Sequence, residues 1–249
     1  MTSFDELIAD GESSDVDGWD FSWFEGRATE ERPTWGFAEA LGDRMSRADA
    51  ALDLETGGGE VLSTIPHPPR MLVATESWPP NLALARARLA PLGGTVVEVA
   101  DDADLPFDDE SFDLVSTRHP NVVDWPEVAR VLKPGGRFFA QLIGNASNRE
   151  LYEYLMGPQD PGTGRLASVE GANAAAAGLR VIDLRHESTA VEFFDVGAVV
   201  HFLRKVIWTV PDFSVEKYRE RLRDLHDDIQ RDGSFVSHSE RVLIEAVKP

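Results

Sequence analysis

Cysteine is absent from the 249 residues. Disulfides, thiolate zinc sites and cysteine nucleophiles are therefore excluded. Positive charge is also short: 24 Lys and Arg stand against 44 Asp and Glu, for a net charge of −20. Nucleic-acid binding runs on clustered Lys and Arg, so this balance argues against nucleic acid and against an anionic membrane surface. Long apolar runs are missing too, and a run such as 196–200 is far too short to cross a bilayer. The start, Met1-Thr-Ser-Phe-Asp-Glu6, has neither a basic n-region nor an apolar h-region, so no secretory signal is expected. The expected location is the cytoplasm. No His and carboxylate set has metal-ligand spacing, and Asp108-Asp-Glu110 lacks the spacing of a calcium loop. No metal is expected.

What the chain does contain is a globular balance, 42% hydrophobic and 27% charged, at a length that suits one large domain. Its organising stretch is Ala51-Leu-Asp-Leu-Glu-Thr-Gly-Gly-Gly-Glu60. Residues 51–54 read as a buried strand, Gly57, Gly58 and Gly59 as a turn, and 60–65 as the start of a helix. In α/β proteins a nucleotide-like ligand sits at such a glycine turn, at the carboxyl end of a parallel strand. Glycines take φ > 0 and let backbone approach ligand.

Around it, strands and helices alternate. Strands are expected at 71–75, 96–100, 112–117 and 137–143, with helices at 35–46, 81–89 and 125–132. This alternation predicts βαβ units and a parallel sheet covered on both faces. Right-handed crossovers put every strand's carboxyl end on one rim. Gly57, Gly58, Gly59, Glu76, Asp101, Arg118 and His119 all fall on that rim.

Past 145 the pattern changes. Helices are expected at 149–156 and 169–179, an extended strand at 180–193, helices at 196–206 and 214–231, and a last strand at 241–246. Val215, Tyr218, Leu222, Leu225 and Ile229 form an apolar stripe behind a Ser214 N-cap. Residues 1–34 are acidic and hold Trp19, Phe21, Trp23 and Phe24. They either wander or pack over a site.

Four ordered motifs carry a family resemblance: Asp53-Leu-Glu-Thr-Gly-Gly-Gly59, Asp101-Asp-Ala-Asp-Leu-Pro-Phe107, Ser111-Phe-Asp-Leu-Val115 and Glu127-Val-Ala-Arg-Val-Leu-Lys-Pro-Gly-Gly136. Over residues 48–145 the chain resembles the class I S-adenosylmethionine-dependent methyltransferases, in the small-molecule branch related to quinone-biosynthesis enzymes. The resemblance implies an α/β, Rossmann-like fold with sheet order 3-2-1-4-5-7-6 and an antiparallel last strand. It implies a single domain: an N-terminal helical or lid segment over 1–47, a cofactor-binding core over 48–145, and a helical insertion over 194–232. That insertion either caps a pocket or makes a homodimer.

The resemblance also implies roles. Asp53, Thr56, Gly57, Gly58 and Gly59 border the methionine part of S-adenosylmethionine, Glu76 holds the ribose, and Asp101, Asp102 and Ala103 line the adenine. Arg118 and His119 lie beside the methyl group and the acceptor. The family usually has glycine where this chain has Glu55. A carboxylate there either bonds the cofactor's ammonium or crowds the loop.

A base is needed only if the acceptor carries a proton, and His119 is the best-placed candidate. Tyr152, Tyr154 and Gln141 are weaker ones. Three readings follow: methyl transfer to an O, N or C nucleophile of a small molecule, a methyltransferase-like binding protein without turnover, and a nicotinamide-dependent oxidoreductase. The last is disfavoured by contiguous rather than spaced glycines.

Overall fold

The computed structural model describes residues 2–16, 19–100 and 103–249. It divides into two compact units. One comprises residues 33–145, 163–187 and 241–249, the other residues 2–32, 146–162 and 188–240.

Among the described residues the sheet has eight strands: β1 (Ala28–Glu30), β2 (Ala50–Leu54), β3 (Met71–Glu76), β4 (Thr95–Glu98), β5 (Phe112–Arg118), β6 (Leu132–Ile143), β7 (Arg180–Phe193) and β8 (Phe235–Val247). They lie in the order β1-β7-β8-β6-β5-β2-β3-β4. β2, β3, β4, β5 and β6 run parallel, and β8 is antiparallel to β6. Read from β4, the expected 3-2-1-4-5-7-6 order is present. The addition is β1, a three-residue edge strand antiparallel to β7.

Within the larger unit alternate strand residues feed two cores. Leu52, Val115, Phe138, Ala140, Leu142, Val242 and Ile244 face one. Ala51, Leu114, Phe139 and Leu243 face the other. Burial on both sides is why these strands read as near-continuous apolar runs. The helices α2 (Phe37–Met45) and α3 (Pro79–Leu89) cover one face, and Phe37 stacks on Phe139 at 5.1 Å. The other face is covered by α4 (Trp125–Val131) together with Ala167 and Ala174 of a helix described next.

Helices α5 (Arg149–Met156), α6 (Ala167–Ala176), α7 (Val196–Lys205) and α8 (Val215–Asp232) complete the chain with an N-terminal α1 (Phe4–Ser13). In the smaller unit α1, α5, α7 and α8 share one core. The α8 stripe is buried as its spacing requires, and Ser214 caps the helix by accepting from the Lys217 amide. α1 and α7 cross at glycines. A Cβ on Gly11 would lie 2.5 Å from the Gly197 carbonyl oxygen, and one on Gly197 would lie 2.5 Å from the Leu7 oxygen. The approach is too close for any side chain.

One expectation needs correction. The helix expected over 60–65 is a single 3-10 turn, Leu62–Thr64. Pro66 drives Ile65 to an extended ψ of 120°, which ends the turn. In the N-terminal stretch Phe4–Ser13 is a helix with a Ser3–Glu6 capping box. No described helix is long and apolar enough to cross a membrane.

Candidate functional site

The loop after β2 is held from both sides. The Glu55 amide donates to Thr75 Oγ1 at 3.2 Å, and the Thr56 amide to the Thr75 carbonyl at 2.9 Å. From β5, Thr117 Oγ1 donates to the Leu54 carbonyl at 2.8 Å. Gly57 and Gly59 take φ of 65° and 78°, as the turn requires. Behind the loop, Arg88 donates to the Gly58 carbonyl at 2.9 Å and pairs with Glu60. Leu54 and Glu55, where the loop begins, line an open cleft.

Polar groups line one part of the cleft and apolar groups the other. Glu55 and Glu76 are on its wall, as are Ala103, Leu105, Val122 and Val123. Glu76 is buried at the end of β3, and its Oε1 accepts from the Ser77 and Trp78 amides at 3.0 and 2.9 Å. That pair of bonds fixes its rotamer. The wall from Leu105 to Phe107 is tied down by α4: the Leu105 amide donates to Glu127 Oε2 at 2.8 Å, and Arg130 bonds the Leu105 and Phe107 carbonyls. Arg130, bonded to Glu127, holds that carboxylate below its ordinary range. Asp101 and Asp102 lie outside the described residues.

Asp53 is buried on β2 opposite Ser116, whose hydroxyl donates to it at 2.5 Å. Burial pushes its carboxyl up to about 6, although the Ser116 hydrogen bond pulls the other way. It titrates close to neutrality. Glu55, two residues on, has φ of 49°, in the region where glycine is at ease. Its Oε2 accepts from the Asn121 amide at 2.7 Å, so the carboxylate reaches from the β2 loop to the β5 loop.

Arg118 ends β5, and His119 follows with φ of 61°. The His119 amide donates to the Gln141 carbonyl at 2.8 Å, and its Nε2 sits 2.8 Å from Gln141 Nε2. Trp35 Nε1 donates to Gln141 Oε1 at 2.7 Å. Burial, then the charges of Arg118, Arg241 and Arg165, hold the His119 ring well below its usual range. Trp35, Arg165 and Arg241 carried no sequence signal as site residues. Trp35 reads as a helix start, and the arginines lie far along the chain from His119.

Tyr152 and Tyr154 belong to the smaller unit. Tyr154 donates to Asp228 at 2.7 Å, and burial together with that carboxylate pushes its phenol up. Among the described residues no group of three His or carboxylates is placed to hold a metal ion.

The donor set suits S-adenosylmethionine. Carboxylates at Glu55 and Glu76 match an ammonium and a ribose diol, and the Leu105, Val122 and Val123 walls match an aromatic base. Residues 52–140 match the methyltransferase domain family. Demethylmenaquinone methyltransferase from Clavibacter sepedonicus is 42% identical over 112 residues, 42% of either chain. Malonyl-[acyl-carrier protein] O-methyltransferase from a Marinomonas species is 30% identical over 123 residues, 45% of either chain. The chain thus spans under half the length of the curated relatives it matches. The crystal structure of the YcgJ protein from Bacillus subtilis superposes with a TM-score of 0.59 at 18% identity, covering 85% of this chain and 97% of that one. Over residues 52–140 the chain is similar to S-adenosylmethionine-dependent methyltransferases, and its fold is theirs.

Proposed function

We propose that the protein transfers a methyl group from S-adenosylmethionine to an O, N or C nucleophile of a small molecule. The observation that carries this reading is the cleft at the ends of β2 and β3, lined by two carboxylates and an apolar wall, beside the glycine loop that follows β2. Glu76 takes the ribose hydroxyls, since a carboxylate accepts both. Glu55 bonds the ammonium in a charge-assisted contact. Ala103, Leu105, Val122 and Val123 enclose the adenine.

When bound, the cofactor supplies a methyl group already activated on a sulfonium. The chain's task is then alignment: the β2 loop fixes one partner, and the β5 loop, tied to β6 through Gln141, fixes the other. The acidic surface, with net charge −20, favours a small acceptor over nucleic acid.

The test is a coupled assay for S-adenosylhomocysteine release over a panel of carboxylates, phenols, amines and carbon acids. Turnover that Glu76→Ala lowers about a hundredfold through KM for the cofactor supports the reading; a charged carboxylate contact is worth about 1.5–3 kcal/mol. Cofactor binding with no turnover on any class favours a binding protein instead.

A further inference from the structure

The indole N–H of Trp35 can only donate. Gln141 Oε1, 2.7 Å away, is therefore the acceptor, and the amide nitrogen is the end that faces His119. That nitrogen also only donates. His119 Nε2, 2.8 Å from it, must hold the lone pair, which places the ring proton on Nδ1. The lone pair a general base would use is committed to Gln141.

Three arginines act on the His119 ring. Arg118 precedes His119 in sequence. Arg165 donates from its guanidinium to the Pro120 carbonyl at 2.9 Å, one residue away. Arg241 is buried on β8 opposite Ile143, two residues past Gln141 on β6. All three charges act on the ring and oppose its protonation. In the same loop the Asn121 amide donates to Glu55 Oε2. Three arginines converging on one loop run against a chain of net charge −20.

We infer that the acceptor binds at the loop after β5 as an anion, a carboxylate, phenolate or enolate, and that His119 meets it as a neutral hydrogen-bond donor through Nδ1–H. Arg118, Arg165 and Arg241 supply the favourable field, and Gln141 and Trp35 are positioning residues that set the tautomer. The inference rests on the methyl-transfer reading and names its substrate class. An anionic acceptor already carries the electron pair of the bond it forms to the methyl carbon. The pair of the broken carbon–sulfur bond stays on sulfur, and no proton leaves. No general base is required.

The test has two parts, both on the full chain. Nitrogen-15 NMR of histidine-labelled protein should show His119 with Nδ1 protonated and Nε2 bare, and no imidazolium at pH 6. Gln141→Leu should mix the tautomers; Trp35→Phe, which frees the Gln141 amide to turn, serves where the first variant does not fold. Binding of benzoate, benzamide and benzylamine is then followed with and without S-adenosylhomocysteine. Benzoate should bind at least about tenfold tighter than the other two, and Arg165→Gln should remove about tenfold of that. An Nε2–H tautomer, a His119 titration near 6.5, a preference for benzylamine, or an equal response to all three probes, none included, overturns the inference. Absent S-adenosylhomocysteine binding would instead overturn the methyl-transfer reading, with the tautomer result still standing.

Discussion

Glu55 separates two opposed effects that two substitutions can measure. Its backbone sits at φ of 49°, where a residue with a Cβ pays about 1–2 kcal/mol relative to glycine. Glu55→Gly removes that strain. It also loses the bond from the Asn121 amide, 2.7 Å long and worth about 1 kcal/mol at a half-exposed site. Added freedom in the unfolded chain costs about 0.5–1 kcal/mol more. The sum lies within about 1 kcal/mol of zero, so the melting midpoint should move by no more than about 2–4 °C. Cofactor affinity should respond far more strongly. A charge-assisted bond to the ammonium is worth about 1.5–3 kcal/mol, so titration calorimetry with S-adenosylhomocysteine should show a loss of about 10–100-fold. Glu55→Gln keeps the side-chain volume and an oxygen acceptor for Asn121 but drops the charge, and it should lose nearly as much affinity. Equal or tighter binding by Glu55→Gly would refute the argument. It would mean the side chain occupies space the cofactor needs.

Other outcomes follow from the same geometry. Gly197→Ala forces a Cβ against the Leu7 carbonyl and should cost about 1–3 kcal/mol in urea unfolding of the full chain. His201, buried against Trp23 and Phe24, is pushed down to about 4 by burial and by Lys205, Arg204 and Arg27. A lowered histidine is stabilising above its unfolded value of about 6.5, and that stability drains as pH falls toward 4. His119 acts in the same direction. Asp53 opposes them, because its raised carboxyl takes up a proton below about 6 in the folded chain alone. His201→Gln should lessen the loss of stability between pH 6 and 4.5 in denaturant titrations. Asp53→Asn removes the buried charge and should raise stability by about 3 kcal/mol at pH 8, a gain that declines as pH falls from about 6 toward 3.8.

Much of this was legible in the chain. Positive φ at Gly57 and Gly59 is what the triple glycine implies, and the strand ends at Glu76 and Arg118 fall where the alternation places them. Other features were hidden for physical reasons. β8 begins at Phe235 rather than near 241, because its first inward-facing residues are Ser237 and Ser239, buried but not apolar. α1 announced itself through Ser3 and Glu6, a capping box that acidity and nearby aromatics obscured. The Trp35–Gln141–His119 chain joins residues far apart in sequence, and β-register alone brings Gln141 beside Arg118. Nothing in local pattern reports such a contact. Glu55 was visible as a departure from glycine, but its reach to the Asn121 amide was not.

The most direct test of the cofactor assignment is thermal unfolding of the full chain with S-adenosylmethionine, S-adenosylhomocysteine and NAD at saturating concentration. A ligand at a hundred times its dissociation constant adds about 2.7 kcal/mol, or roughly 5–10 °C for a chain of this length. Both sulfur compounds should raise the midpoint by that amount, and NAD should leave it unchanged. A shift with NAD, or none with either sulfur compound, would contradict the account.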